Sequence, residues 1–253
     1  MHRFFVDPEL LKGAETILLP DKLAHQMRDV LHLAGGEQLV LLDNSGEEVM
    51  AEVVKSSRAG VQVQLLERHV GRQEPAVRIV LCQGLLKSAR FEWILEKGTE
   101  LGVSTFAPIL CRRSMAGLEE AGSVKIQRWQ RILQEAAEQC GRSLIPTLAP
   151  IRPFMHALND LPPGALALIP WEEEHGRSLR EAIAAVPTDH EQPLTVVLFI
   201  GPEGGLTAEE VKLAQRHGVQ PVSLGPRILR AETAALAAVA NVMYQLEPQV
   251  HVD

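Results

Sequence analysis

At 253 residues, with 46% hydrophobic and 23% charged side chains and a formal net charge of −7, the chain has the make-up of an ordinary globular protein. It is long enough for one large domain or two smaller ones, each with a real core. No run reaches the roughly 18 apolar residues a membrane span needs. The start, Met1-His2-Arg3-Phe4-Phe5-Val6-Asp7-Pro8, lacks the apolar segment and cleavage site of a signal peptide, so a cytoplasmic protein with no membrane attachment is expected.

Residues 1–73 read as mostly strand. Gln38–Leu42 runs through a turn at Asp43-Asn44-Ser45-Gly46 into Glu48–Val54, and Val61, Val63 and Leu65 alternate with Gln62 and Gln64. That alternation is the period of a half-buried strand, and short strands in so small a unit suggest a compact β-barrel. One helix is expected near Lys22–Leu31. Val70–Pro75, where glycine and proline flank polar residues, reads as a linker.

From residue 76 strand and helix alternate. Arg78–Cys82 and Thr105–Leu110 are strands, and Ser88–Leu101 and Ser123–Cys140 are amphipathic helices. Ala165–Ile169 is a further strand, ending at Pro170. Two more strands each run into a glycine-proline loop, with a helix between them. The first loop is Ile200-Gly201-Pro202-Glu203-Gly204-Gly205; the second is Leu224-Gly225-Pro226-Arg227-Ile228-Leu229-Arg230. The order implies an α/β domain with a mostly parallel sheet, whose ligands sit beyond the carboxyl ends of the strands. The final helix, about Glu232–Leu246, has almost no polar face, which suggests burial against the sheet on one side and a second subunit on the other.

Charge and cysteine usage narrow the chemistry. Residues 1–75 hold 8 basic and 12 acidic side chains, residues 76–150 hold 10 and 7, and residues 151–253 hold 7 and 13. A local positive face on an acidic protein still binds phosphates, because exposed charges beyond about 10 Å are largely screened. Cys82, Cys111 and Cys140 form neither a C-x-x-C pair nor a disulfide framework, and the histidines have no ligand spacing, so no metal is expected. Neither glycine loop has the lysine and hydroxyl of a P-loop or the spacing of a dinucleotide fingerprint. Free amides and close backbone approach at two neighbouring strand ends still suggest one small ligand between them, with purely structural turns as the alternative.

The two loops, continued into Ala231-Glu232-Thr233-Ala234, resemble the signature of the SPOUT superfamily of methyltransferases. More narrowly, they resemble the ribosomal small-subunit RNA (uridine-N3) methyltransferases. Arg3-Phe4-Phe5-Val6, Glu96–Val103, Arg112-Arg113-Ser114 and Glu138-Gln139-Cys140-Gly141-Arg142 agree. One departure is Val30-Leu31-His32, where the family usually reads V-L-R; Arg28 stands nearby.

The resemblance implies a PUA-like RNA-binding barrel over residues 1–73, then a SPOUT α/β domain over 74–253 with a C-terminal trefoil knot. It implies S-adenosylmethionine as cofactor, a homodimer, and methylation of uridine N3 in 16S ribosomal RNA of the small subunit. Carried over by position, Pro170, Ile200, Gly201, Gly205, Leu224, Gly225, Ile228, Leu229, Glu232, Thr233 and Ala234 would hold the cofactor. Arg230 would steady the negative charge that spreads over the uracil carbonyls, and Glu203 and Glu100 are candidate bases. Arg3, Arg28, Lys87, Arg90, Arg112, Arg113 and Arg142 would meet the RNA backbone. The rivals are a non-catalytic RNA-binding assembly factor and a methyltransferase of the same superfamily acting on another RNA site.

Overall fold

The computed structural model describes residues 1–13, 15–114, 122–186 and 194–247. The chain divides into two compact units. One comprises Met1–Glu74 with Ala137–Ile145, the other Pro75–Ala136 with Pro146–Asp253.

In the first unit, β1 (His2–Phe5), β2 (Thr16–Leu18), β3 (Gln38–Leu42), β4 (Glu47–Ser57) and β5 (Gly60–Val70) form one sheet in the order β1-β3-β4-β5-β2. Only β1 and β3 run parallel; the other pairs are antiparallel. The expected turn joins β3 to β4. Asn44 and Gly46 take positive φ there, at 63° and 94°, and Asp43 Oδ1 accepts the Ser45 amide at 3.0 Å, the local bond that lets Asp start a turn. Val61 and Val63 point into the core while Gln62 and Gln64 stay exposed. The expected helix is α1 (Asp21–His25), continued as a π-helical turn over Gln26–Val30. Its end is fixed by His32 at φ 56° and by the Leu33 amide bonding back to Met27 O, which seats Met27 in the core.

A sequence-distant segment completes this unit. Glu74 accepts the amides of Ser143 and Leu144, each at 2.9 Å, and the Arg142 guanidinium at 2.9 Å. Glu138 accepts the Phe5 amide at 3.0 Å, and Asn44 Oδ1 accepts that of Ile145 at 2.7 Å. Arg142 was expected to meet RNA. It is 4% exposed and its charge is met by Glu74, so its position is structural. Its charge is desolvated and already paired, and no phosphate can reach it.

In the second unit the chain runs β6 (Arg78–Gly84), α2 (Ser88–Glu100), β7 (Val103–Leu110), α3 (Ser123–Cys140), β8 (Thr147–Leu148), β9 (Arg152–Pro153), α4 (Phe154–Asn159), β10 (Leu166–Pro170), α5 (Leu179–Ala184), β11 (Thr195–Ile200), α6 (Ala208–Arg216), β12 (Gln220–Val222) and α7 (Ala231–Leu246). The last turn of α3 falls in the first unit. The sheet order is β12-β10-β11-β6-β7-β8, with β9 also on β7, and every pairing is parallel. Helices cover both faces, as a parallel sheet requires. Cys82, Val197, Phe199 and Ile169 form one core with Phe154 of α4 and Val211 of α6, and α7 packs against α2, α5, β11 and β6. Phe91 and Trp129 are wholly buried, with ring centroids 4.4 Å apart. Burial pushes the Cys82 thiol up to about 12 and raises Cys111 as well, helped there by Glu210. Among the described residues no helix is long and apolar enough to cross a membrane.

Candidate functional site

β10, β11 and β12 lie side by side at one end of the sheet, and their carboxyl ends open into a cavity of about 350 Å³. Pro170-Trp171-Glu172 form one wall, Ile200–Leu206 a second, and Ser223–Ala231 a third, with Ala234 of α7 behind. Crevices beyond strand carboxyl ends are where open α/β sheets bind small ligands.

Glycine shapes these walls in two ways. Gly205 bonds back to Pro202 O at 2.9 Å with φ +72°, closing a tight turn. Gly225 has φ +111° and open space where a Cβ would stand, so the constraint there is backbone conformation, not room. Below the first loop, a Cβ on Gly84 would come within 2.5 Å of Pro202 N, so β6 and the loop touch backbone to backbone. The wholly buried Gln83 ties them further, donating to Gly84 O at 2.9 Å and Gly201 O at 3.3 Å. Trp171 Nε1 is buried without a hydrogen-bond partner among the described residues, and Ile228 is 86% exposed. An orphaned donor and a bare aliphatic side chain on one cavity suit a ligand with a polar edge and a flat apolar face.

The rim is charged. Arg230 is the N-cap residue of α7, in extended backbone, and is an exposed residue of the cavity lining. Arg113 Nη1 donates to Gly204 O at 3.0 Å. Arg90, from the first turn of α2, brings Nη1 to 3.7 Å from Glu203 and Nε to 3.8 Å from Glu232.

The cavity therefore gathers Pro170, Ile200, Gly201, Gly205, Leu224, Gly225, Ile228, Leu229, Arg230 and Ala234 from among the residues expected at the cofactor. Glu232 meets Arg90 instead of lining the wall directly, and Thr233 is exposed on the first turn of α7. Glu100 ends α2, about 15 Å along the helix from Arg90 at 1.5 Å per residue, and it pairs with Lys97. It is too far away to act as a base in the cavity.

Of the expected RNA contacts, Arg90 belongs to the cavity. Lys87 is exposed at the N-cap of α2, its amide bonded to Glu203. The Arg112 amide is held by the buried Glu210, with its guanidinium exposed. In the first unit Arg3 approaches Glu48 to 2.7 Å, out of hydrogen-bond alignment, and Arg28 is bound by Asp29 and by Ser57 O. Sequence reasoning missed Gln83, Trp171 and the pairing of Arg90 with Glu232. Only the position of Trp171, directly after the strand-ending Pro170, marked any of them.

Comparison with known proteins adds three findings. The RNA methyltransferase domain family matches residues 72–243. The ribosomal RNA small subunit methyltransferase E of Bacillus subtilis is 31% identical over 98% of both chains, and that of Synechocystis is 35% identical over 97% of this chain and 78% of its own. The crystal structure of a Neisseria gonorrhoeae ribosomal RNA small subunit methyltransferase E bound to S-adenosyl methionine superposes with a TM-score of 0.85, at 30% identity over 98% of each chain.

Proposed function

This chain belongs to the RNA methyltransferase family that includes the ribosomal RNA small subunit methyltransferases E, and from that premise we propose that it methylates N3 of a uridine in 16S ribosomal RNA. It is an S-adenosylmethionine-dependent methyltransferase of small-subunit ribosomal RNA, as its full-length likeness to enzymes of that name and to a cofactor-bound structure indicates. The observation that carries the reading is the three-walled cavity at the strand ends.

The cavity fits the cofactor. Its volume lies within the range of small-ligand sites, about 300–1,000 Å³. Backbone groups around Leu224, Gly225, Ile228 and Leu229 suit an adenine, whose edge offers donors and acceptors without charge. Trp171 Nε1 is a donor with no partner among the described residues. When bound, S-adenosylmethionine supplies the methyl group from its sulfonium. The protein has to hold the uridine in line, exclude water and stabilise charge. Arg230 at the lip of the cavity is the cation proposed for the uracil carbonyls. Because N3 lies on the pairing edge, the uridine must be unpaired or extruded.

The first unit is proposed as the PUA-like RNA-binding part, with Arg3 and Arg28 toward the backbone. Lys87, Arg112 and Arg113 do the same work from the second unit, and its C-terminal region is proposed to be the trefoil knot. A homodimer through α7 is supported by that helix's outer side, where Leu236, Ala237 and Ala240 are only half-buried and Tyr244 is 82% exposed.

The test is methylation of deproteinised 16S RNA and of intact small subunits, followed by nucleoside mass spectrometry. 3-Methyluridine is expected, and any other methylated nucleoside overturns the N3 reading. Arg230→Ala should keep cofactor binding by calorimetry and lose most methyl transfer; unchanged turnover would remove Arg230 from that role.

A further inference from the structure

Arg90 and Glu232 stand in ion-pair range of each other without a hydrogen bond between them. Among the described residues, Arg90 has two carboxylate groups in ion-pair range, at 3.7 and 3.8 Å, and none within hydrogen-bond distance. The Glu232 side chain is only 12% exposed, and its Oε2 is shielded from solvent with no hydrogen-bond partner among the described residues. A buried carboxylate oxygen left without a donor is costly. It stands on the first turn of α7, between the cavity-lining Ala231 and Ala234, and Arg90 lines the same cavity.

The imide edge of uracil presents an acceptor, a donor and an acceptor in a row: carbonyl, N3–H, carbonyl. A carboxylate beside a guanidinium offers the matching acceptor and donors. We propose that Glu232 and Arg90 form a uracil-reading pair, Glu232 being the general base for N3 and Arg90 the donor to an adjacent carbonyl oxygen. The proposal rests on the uridine-N3 reading above. In this step the N3 proton passes to a Glu232 oxygen, and the electron pair of the broken N–H bond stays on the ring. That pair forms the bond to the methyl carbon, whose bond to sulfur breaks with its electrons left on sulfur. The protonated carboxyl then returns its proton to solvent. Arg90 faces the charge that spreads to the carbonyl while the proton is leaving.

Glu203 serves less well as the base. Its Oε1 accepts the Lys87 amide at 3.2 Å and also stands 3.7 Å from Arg90, so its charge is shared between two donors, whereas among the described residues no donor meets Oε2 of Glu232.

The experiment uses the full chain and RNA carrying either uridine or 3-methyluridine at the target position found by product mapping. Without cofactor, fluorescence anisotropy should show the wild type favouring uridine by about tenfold, the worth of one hydrogen bond to a charged group. Glu232→Ala should abolish that preference, and equal affinities in the wild type overturn the proposal. With S-adenosylmethionine, single-turnover methylation by Glu232→Gln should fall at least about a hundredfold at neutral pH. It should recover by about tenfold per pH unit as N3 ionises unaided. A glutamate that only supports α7 would leave the shape of the pH profile unchanged, and that result sinks the assignment.

Arg90→Lys keeps the charge and loses the planar fork. It should slow transfer by about tenfold or more at an unchanged melting temperature, independently of how Glu232 variants fold; wild-type turnover would remove Arg90 from the pair. A wild type that makes a product other than 3-methyluridine defeats the underlying N3 reading. A wild type that makes 3-methyluridine alongside an unimpaired Glu232→Gln defeats this proposal alone.

Discussion

Glycines at two positions separate two kinds of constraint that look alike in the sequence. At Gly84 the obstacle to a side chain is another backbone, Pro202 N at 2.5 Å, which cannot swing aside as a flexible side chain would. At Gly225 nothing among the described residues stands within 4 Å of an added Cβ, and φ +111° is what resists substitution. Gly84→Ala should therefore displace the first loop and weaken S-adenosylmethionine binding by more than tenfold. Gly225→Ala should cost about 1–2 kcal/mol in backbone strain with a smaller loss of affinity. Calorimetric titration and thermal melts of both variants check the order, and the reverse order would mean that the second loop, not the first, governs the cofactor. Gly225 was legible because a glycine-proline loop after a strand announces a special conformation. Gly84 was not, because its neighbour Pro202 comes from a loop far along the chain.

Among the elements, α6 shows how local chemistry and tertiary structure share one residue. Thr207 and Glu210 form a reciprocal capping box, with the Glu210 amide on Thr207 Oγ1 at 3.2 Å and the Thr207 amide on Glu210 Oε2 at 2.9 Å. Glu210 is also 4% exposed and accepts the Arg112 amide at 2.8 Å, so it fixes the loop after β7 as well as its own helix. Thr207→Ala should cost about 1 kcal/mol, and Glu210→Ala more, about 2–3 kcal/mol, since it strands a second amide. Equal losses in chemical denaturation would show that the Arg112 contact contributes nothing. The final helix makes a different point. Its apolar sequence suggested burial all round, while the chain by itself buries one side, Ala235, Ala238, Val239, Val242 and Met243, and leaves Tyr244 bare. If α7 is the dimer contact, Ala237→Glu should give a monomer by light scattering with its melting temperature nearly intact. A dimer that survives would place the contact elsewhere.

At the scale of the whole molecule, stability has a pH edge that follows from burial. The Cys82 thiol rises from its ordinary 9.0 to about 12. The unfolded chain thus loses that proton first as pH rises, and the native state holds it longer. The stabilisation from the neutral buried thiol is complete below about 9 and drains away as pH climbs toward 12, with Cys111 acting in the same direction. The melting temperature should fall over that interval, and less steeply in Cys82→Ala; parallel slopes would show that other groups set the edge. In the first unit, Glu74→Ala removes the acceptor of two amides and the partner of a 4% exposed guanidinium. It should cost about 3 kcal/mol or more, and urea unfolding that matches the wild type would deny the segment 137–145 its place in that unit.

The alternation of strand and helix, the parallel sheet, the turn at Asp43–Gly46 and the loops of the cavity were all legible in the sequence by itself. Each depends on the periodicity or backbone freedom of neighbouring residues. The tertiary structure alone decided that Arg142 is structural and that Gln83 underpins the first loop. It alone brought Glu232 within ion-pair range of the cavity-lining Arg90. The physical reason is that burial and charge pairing belong to groups that meet in space, and the sequence order holds no record of a meeting between residues so far apart.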